Sequence, residues 1–173
     1  MATKSLFLED YIFRGSQNEK AIALTSLIDK ESNTPIFSSL VELFICASVV
    51  GCYFNRRSKP EKGDVGKKIF ATQFTTHSQQ LNLAFRLVLL VGGKEQADSI
   101  ERLNRTFRNP ETQDNYELFE SFMLGGIDEL YDTFILDSNN RYEDYLTSLS
   151  KFLNEFAEKQ ETDEDGPSTE DIF

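Results

Sequence analysis

The side chains best equipped for chemistry are few. The single histidine, His77, stands between Thr75-Thr76 and Ser78, with hydroxyls on either side. A base beside hydroxyls is the raw material of nucleophilic catalysis, but it needs a third group to orient it. At a helix start a histidine more often caps the helix or faces solvent, and that is the expectation here. Cys46 and Cys52 lie six residues apart in an apolar stretch. That spacing is neither a CxxC redox pair nor a zinc knuckle, so both read as reduced core thiols. The carboxylate pairs Glu117/Glu120 and Asp128/Asp132 are spaced to share one helix face. Such pairs hold Mg²⁺ in nucleases, but on an amphipathic helix the same spacing makes a solvated face, which is the reading adopted. Gly63-Asp64-Val65-Gly66-Lys67-Lys68 sets lysines after glycines without the first half of a phosphate-binding loop or a Ser/Thr after the lysine. With no GxSxG, HExxH or GxGxxG either, no catalytic, cofactor-binding or metal-ligating residue is assigned, and no enzymatic activity is expected.

The basic residues are more suggestive. Arg56, Arg57, Lys59, Lys62, Lys67 and Lys68 cluster in a Gly- and Pro-containing segment, and Arg86, Arg102, Arg105 and Arg108 form a second group. Two uses stand open: a salt-sensitive contact with phosphates, or a contact with an acidic patch on a partner. A sequence pI near 4.6 is far from that of a free-standing nucleic-acid binder. The charge is also unevenly spread. Residues 1–110 carry 15 basic and 11 acidic groups, net +4, while residues 111–173 carry 3 and 18, net −15. A chain polarised in this way presents opposite fields at its two ends and favours a docked partner.

These groups must be positioned by helices. At 173 residues the chain suits one domain, drawn as 1–160, with an acidic tail of disordered composition over 161–173. Residues 17–30 read as a short amphipathic helix with Ala21, Leu24, Leu27 and Ile28 on one face. After a break at Asn33-Thr34-Pro35, Ser38 or Ser39 caps a helix to about Phe54 that is apolar nearly all round, hence central; a buried strand over 45–53 is the competitor. Residues 69–74 read as a short extended stretch. A helix over 76–91 buries Leu83, Phe85, Leu87, Val88 and Leu90 and stops at Gly92-Gly93, and one over 95–104 turns Ile100 and Leu103 inward. A long helix over 113–136 carries Gly125-Gly126 in its middle, which implies close approach by another helix or a kink. The last helix, capped by Asn139 or Asn140, bears an apolar stripe through Tyr142, Tyr145, Leu146, Leu149, Phe152, Leu153 and Phe156. The fold class expected is all-α, a compact bundle of about five to six helices.

Leu6, Phe7 and Leu8 are followed at once by Glu9 and Asp10, and the longest apolar run spans Leu87 to Val91. No secretory leader and no membrane span is therefore expected, and a cytoplasmic protein is.

Several stretches taken in order resemble a family of small proteins associated with prokaryotic DNA phosphorothioation and related anti-phage defence islands. They are PIFSSLVELFICASVVG (35–51), CYFNRR (52–57), LNLAFRLVLLVGG (81–93) and YELFESFMLGGIDELYD (116–132). The small middle subunits of three-component defence systems built around an SMC-like ATPase look similar in size and architecture. The resemblance covers residues 35–136 and rests on packing motifs; the helix and acidic tail of 140–173 depart from it. It implies an accessory subunit that bridges an ATPase or effector subunit of the same system in a hetero-oligomer, with a weak DNA contact as a further option. From the residues themselves, the partner contacts expected are Arg56, Arg57, Lys59, Lys62, Lys67 and Lys68 in the basic segment, and Tyr142, Tyr145, Leu149, Phe152 and Phe156 on the last helix. The alternative is a stand-alone nucleic-acid-binding regulator using the basic segment.

Overall fold

The computed structural model describes residues 7–29, 34–93, 97–136 and 142–163. In chain order these form β1 (Tyr11–Arg14), α1 (Gly15–Thr25), β2 (Leu27–Asp29), β3 (Thr34–Pro35), α2 (Leu40–Tyr53), β4 (Val65–Ile69), α3 (Ala71–Thr76), α4 (Ser78–Val91), α5 (Ser99–Phe107), α6 (Gln113–Tyr131) and α7 (Tyr142–Asp163). A π-helical turn, Asp132–Leu136, widens the end of α6. The protein is mostly helical, and among the described residues the strands form two small antiparallel pairs, β1 with β4 and β2 with β3.

The centre of the fold is the crossing of α2 and α6. Ser39 caps α2 by accepting the Glu42 N–H at 3.3 Å, and the helix then runs with Val41, Leu43, Phe44, Ala47 and Val50 buried. Thr112 caps α6 in the same way through Asn115 N–H, while the Asn115 side-chain amide donates to Asn109 O and Pro110 O at 3.0 Å and holds the entering turn. Gly125-Gly126 resolves as close approach. A Cβ built on Gly126 would meet Ala47 O at 1.8 Å, one on Gly51 would meet Phe122 O at 1.9 Å, and one on Gly125 would meet Arg56 O at 2.0 Å. Around this contact Phe44, Phe119, Phe122 and Met123 are fully buried, each contributing about 1.5–3 kcal/mol of apolar transfer. Phe7 adds an edge-on ring between Phe44, Phe85 and Phe119, with centroids 5.7–6.3 Å apart.

Several elements differ from expectation, each for a tertiary reason. α1 stops at Thr25, where the Thr25 and Ser26 hydroxyls bond Ala21 O and Ile22 O and the backbone turns extended; Leu27 then sits half-exposed in β2. The Ile28 side chain lies outside the described residues. The extended stretch falls at 65–69, where β4 pairs with β1 in the register Tyr11↔Ile69, and residues 71–76 are helical. α4 ends as expected, with Gly92 N–H bonding Val88 O and Gly93 at φ +65. Its buried face, however, is Leu81, Ala84, Phe85, Val88 and Leu89, leaving Leu83 72% exposed and Leu87 outward. α5 is turned inside out: Ile100 is 69% exposed and Leu103 and Phe107 also face out. Its polar side faces in because Arg105 caps the end of α4, with Nε donating to Leu89 O at 2.8 Å and Nη2 to Gly92 O at 2.5 Å. α7 continues as helix to Asp163, two residues past the start assigned to the tail; residues 164–173 and the cap positions Asn139 and Asn140 lie outside the described residues.

Candidate partner-binding surfaces

The basic segment 55–68 is strapped to the body. Arg56 sits over α6, with Nη1 2.8 Å from Glu129 Oε2 and Nη2 2.6 Å from Asp132 Oδ2. Desolvation alone would lower its pKa, but the two carboxylates outweigh it and hold the guanidinium above its ordinary value. Arg57 donates Nε to Ser121 Oγ at 2.9 Å and lies 5.3 Å from the centre of the Phe122 ring. Ser58 N–H bonds Ser121 O at 2.9 Å, and the Ser58 hydroxyl donates to Asp128, which also pairs with Lys20 at 2.5 Å. Farther on, the Gln17 amide donates to Lys59 O at 2.8 Å, and Asn18 Oδ1 accepts Lys67 N–H at 2.7 Å. Lys68 pairs with Asp10 at 3.0 Å and lies over Phe70. The structure therefore divides the six cations: Arg56, Arg57 and Lys68 are engaged within the fold, and Lys59, Lys62 and Lys67 are exposed. In the second group Arg105 is drawn to α4 and Arg102 donates to Ala97 O at 3.2 Å, leaving Arg86 and Arg108 exposed.

The carboxylate pairs are used structurally. Asp128, Glu129 and Asp132 are the counter-ions of Lys20 and Arg56. Glu120 lies half-buried under Tyr11, whose hydroxyl bonds to it; desolvation raises the carboxyl pKa, the Tyr11 bond opposes the rise, and Glu117 adds to it. The same environment raises the Tyr11 hydroxyl, again chiefly by burial. Among the described residues no group of three or more His, Cys, Asp or Glu is arranged to hold a metal ion. His77 Nδ1 lies 2.9 Å from Gln73 O at the joint of α3 and α4, and the nearby Thr75 and Thr76 hydroxyls are bound to Ala71 O and Thr72 O rather than to the ring. Cys46 and Cys52 are half-buried thiols on α2, and burial raises the Cys46 thiol. Among the described residues no helix is long and apolar enough to cross a membrane.

The apolar stripe of α7 is seated along one edge only. Tyr145 is buried, and Phe152 packs with its ring 5.7 Å from Phe54 and 5.8 Å from Phe134. The other edge is left in the open, with Leu146 50%, Leu149 42% and Leu153 57% exposed. Between that edge and the body runs an apolar groove of about 350 Å³, walled by Pro35, Ile36 and Phe37 on one side and floored by Cys46, Leu130 and Phe134. The structure thus brings Tyr145, Leu149 and Phe152 together at one groove; the side chains of Tyr142 and Phe156 lie outside the described residues. The α4 ridge of Leu83, Leu87 and Val91 and the α5 face of Ile100, Leu103 and Phe107 are further apolar surfaces; of these, Leu83, Leu87, Ile100 and Leu103 are residues that periodicity alone assigned to the core. Their one sequence signal is an excess: α4 carries more large apolar residues than a single core-facing stripe can take. Set against known proteins, the chain has no match among family models, curated proteins or solved structures.

Proposed function

We propose that the chain is a non-enzymatic protein-binding subunit of a prokaryotic anti-phage defence complex, cytoplasmic and hetero-oligomeric, bridging an SMC-like ATPase or effector subunit. The single observation that carries the binding role is the half-seated α7, whose exposed leucine edge borders an apolar groove. Apolar side chains lined up on one helix face beside a preformed groove are how helix-in-groove recognition is built, and contiguous exposed apolar surface on a soluble protein marks an interaction site. The defence setting is supported by the resemblance of residues 35–136. The basic segment has a secondary part in this reading. Its three exposed lysines without a charged partner among the described residues, Lys59, Lys62 and Lys67, would add about −3 to the log–log salt slope of a DNA contact.

The test is co-expression with SMC-like ATPase and effector candidates, chosen from the neighbouring genes if such genes are found there. Leu149→Asp should leave the circular dichroism spectrum intact and abolish co-purification, because the site is solvent-accessible yet central to the groove edge. Retained co-purification would sink the surface assignment. ATP or DNA turnover by the purified chain, lost on Glu120→Ala or Asp128→Ala, would sink the non-enzymatic assignment.

A further inference from the structure

We infer that the Arg56–Asp132 ion pair is a latch on α7, so that release of Arg56 unseats the last helix. The seat is small. Of the α7 side chains described, those of residues 144–155, Tyr145 is the one buried, with Phe152 half-buried on the same face seven residues on. Among the described elements, the π turn Asp132–Leu136 is the one α7 packs on most. Phe152 lies between two rings, its centroid 5.7 Å from that of Phe54 and 5.8 Å from that of Phe134.

Those two rings belong to the two backbone segments that the ion pair ties together. Phe54 stands two residues before Arg56, and Phe134 two residues after Asp132. The Arg56 side is fixed without the pair. Its N–H bonds Gly51 O at 2.9 Å, and its carbonyl lies against Gly125, where a Cβ would meet Arg56 O at 2.0 Å. The Asp132 side is the π turn, where the i→i−4 ladder of α6 gives way to a wider and rarer pairing. Arg56 Nη2, 2.6 Å from Asp132 Oδ2, holds that turn from the side, and Nη1, 2.8 Å from Glu129 Oε2, aims the guanidinium. Without the Asp132 contact the π turn shifts against a fixed Phe54, and the slot between the rings no longer matches Phe152. The pair is reachable by solvent, with Arg56 36% and Asp132 41% exposed, so salt and competing anions act on it. An anion that draws Arg56 off Asp132 loosens α7, and by reciprocity a partner that lifts α7 releases Arg56. Unseating uncovers Phe134 and Phe152, so the latch sets how much apolar surface this part of the molecule presents, whichever partner α7 takes.

Most helical stability in proteins comes from packing, so α7 off its seat exchanges its amide hydrogens faster. Hydrogen exchange of the full chain, read by mass spectrometry over residues 145–153, therefore follows the opening equilibrium. Arg56→Ala should speed exchange there about two- to fivefold, the contribution of a screened ion pair. Asp132→Asn, which keeps the shape of the side chain, should act in the same direction. The double variant should match Arg56→Ala, because both substitutions act through one contact. Raising KCl to about 500 mM should speed exchange in the parent and add little in Arg56→Ala. Lys68→Ala breaks the similarly exposed Lys68–Asp10 pair beside β4 and measures any general loosening; it should leave residues 145–153 unchanged. Unchanged α7 exchange in Arg56→Ala or in Asp132→Asn, additive effects in the double variant, a salt response that persists in Arg56→Ala, or an equal rise in Lys68→Ala would each overturn the inference.

Discussion

Adding one methyl group at the α2–α6 crossing tests the fold where it is tightest. In an isolated helix Gly126→Ala gains about 0.5–1 kcal/mol, since glycine loses the most backbone freedom on folding. In this protein the new Cβ lands 1.8 Å from Ala47 O, 2.6 Å from Ala47 C and 2.8 Å from Gly51 N. All three are backbone atoms, so no side chain can swing aside. A relaxed carbon–oxygen contact is about 3.3–3.6 Å, so the two helices must part by roughly 1.5 Å. Phe44, Phe119, Phe122 and Met123 surround the crossing and are fully buried. A radial gap of even 0.5–1 Å forfeits about a quarter to a half of each contact's well, and a buried side chain makes about 40–60 contacts of 0.1–0.2 kcal/mol. Separation across part of this cluster gives a net loss of about 3–5 kcal/mol after the propensity gain, a large share of the roughly 5–15 kcal/mol that holds a domain together. Urea unfolding followed at 222 nm should show the midpoint falling at unchanged slope. Gly51→Ala should behave alike, its Cβ meeting Phe122 O at 1.9 Å. The double variant should cost less than the sum, because the first substitution already opens the crossing that the second would strain. A Gly126→Ala protein as stable as the parent, or more so, would refute the close-contact argument.

Further substitutions address the pieces around this crossing. Arg56→Ala leaves Glu129 and Asp132 without their counter-ion, but all three side chains are a quarter to two-fifths exposed; solvent screening limits the loss to about 0.5–1 kcal/mol in urea melts, diminished by salt. Asn115→Ala removes the donor to Asn109 O and Pro110 O and should cost about 1–3 kcal/mol, since the turn carbonyls lose their partner. Glu120 has a raised folded pKa, so the folded state holds its proton more tightly than the unfolded one. Its contribution favours folding at low pH and is lost as pH rises from the unfolded value of 4.5 towards the folded one; Glu120→Gln should flatten that part of a stability–pH curve, and an unchanged curve would show another group responsible. Ile100→Glu on the outward face of α5 should alter stability by no more than about 0.5 kcal/mol, whereas a core position would unfold, so thermal melts separate the two.

The helical class and the central place of α2 were legible in the sequence, and Gly125-Gly126 signalled either a close helix approach or a kink; that the approach is real and that α2 is the partner came from the packed structure. The legible signals are local: a long apolar run, a serine at position 38 or 39 to cap it, and glycines in a helix that would otherwise exclude them. The single-edged seating of α7, the inside-out α5, the outward Leu83 and Leu87 and the β1–β4 pairing were decided only by tertiary structure. Periodicity names an apolar stripe but does not say how much core remains to receive it. Here the α2–α6 pair and the ring cluster around Phe7 and Phe44 fill the interior, and one side of α4 completes it. The remaining stripes have no interior left to enter. The basic segment tells the same story in charge: its composition shows six cations, but Glu129, Asp132 and Asp10, distant in sequence, engage Arg56 and Lys68 and leave Lys59, Lys62 and Lys67 exposed. Ion pairing across about 60–75 residues is set by where the chain returns in space, which only the packed helices fix.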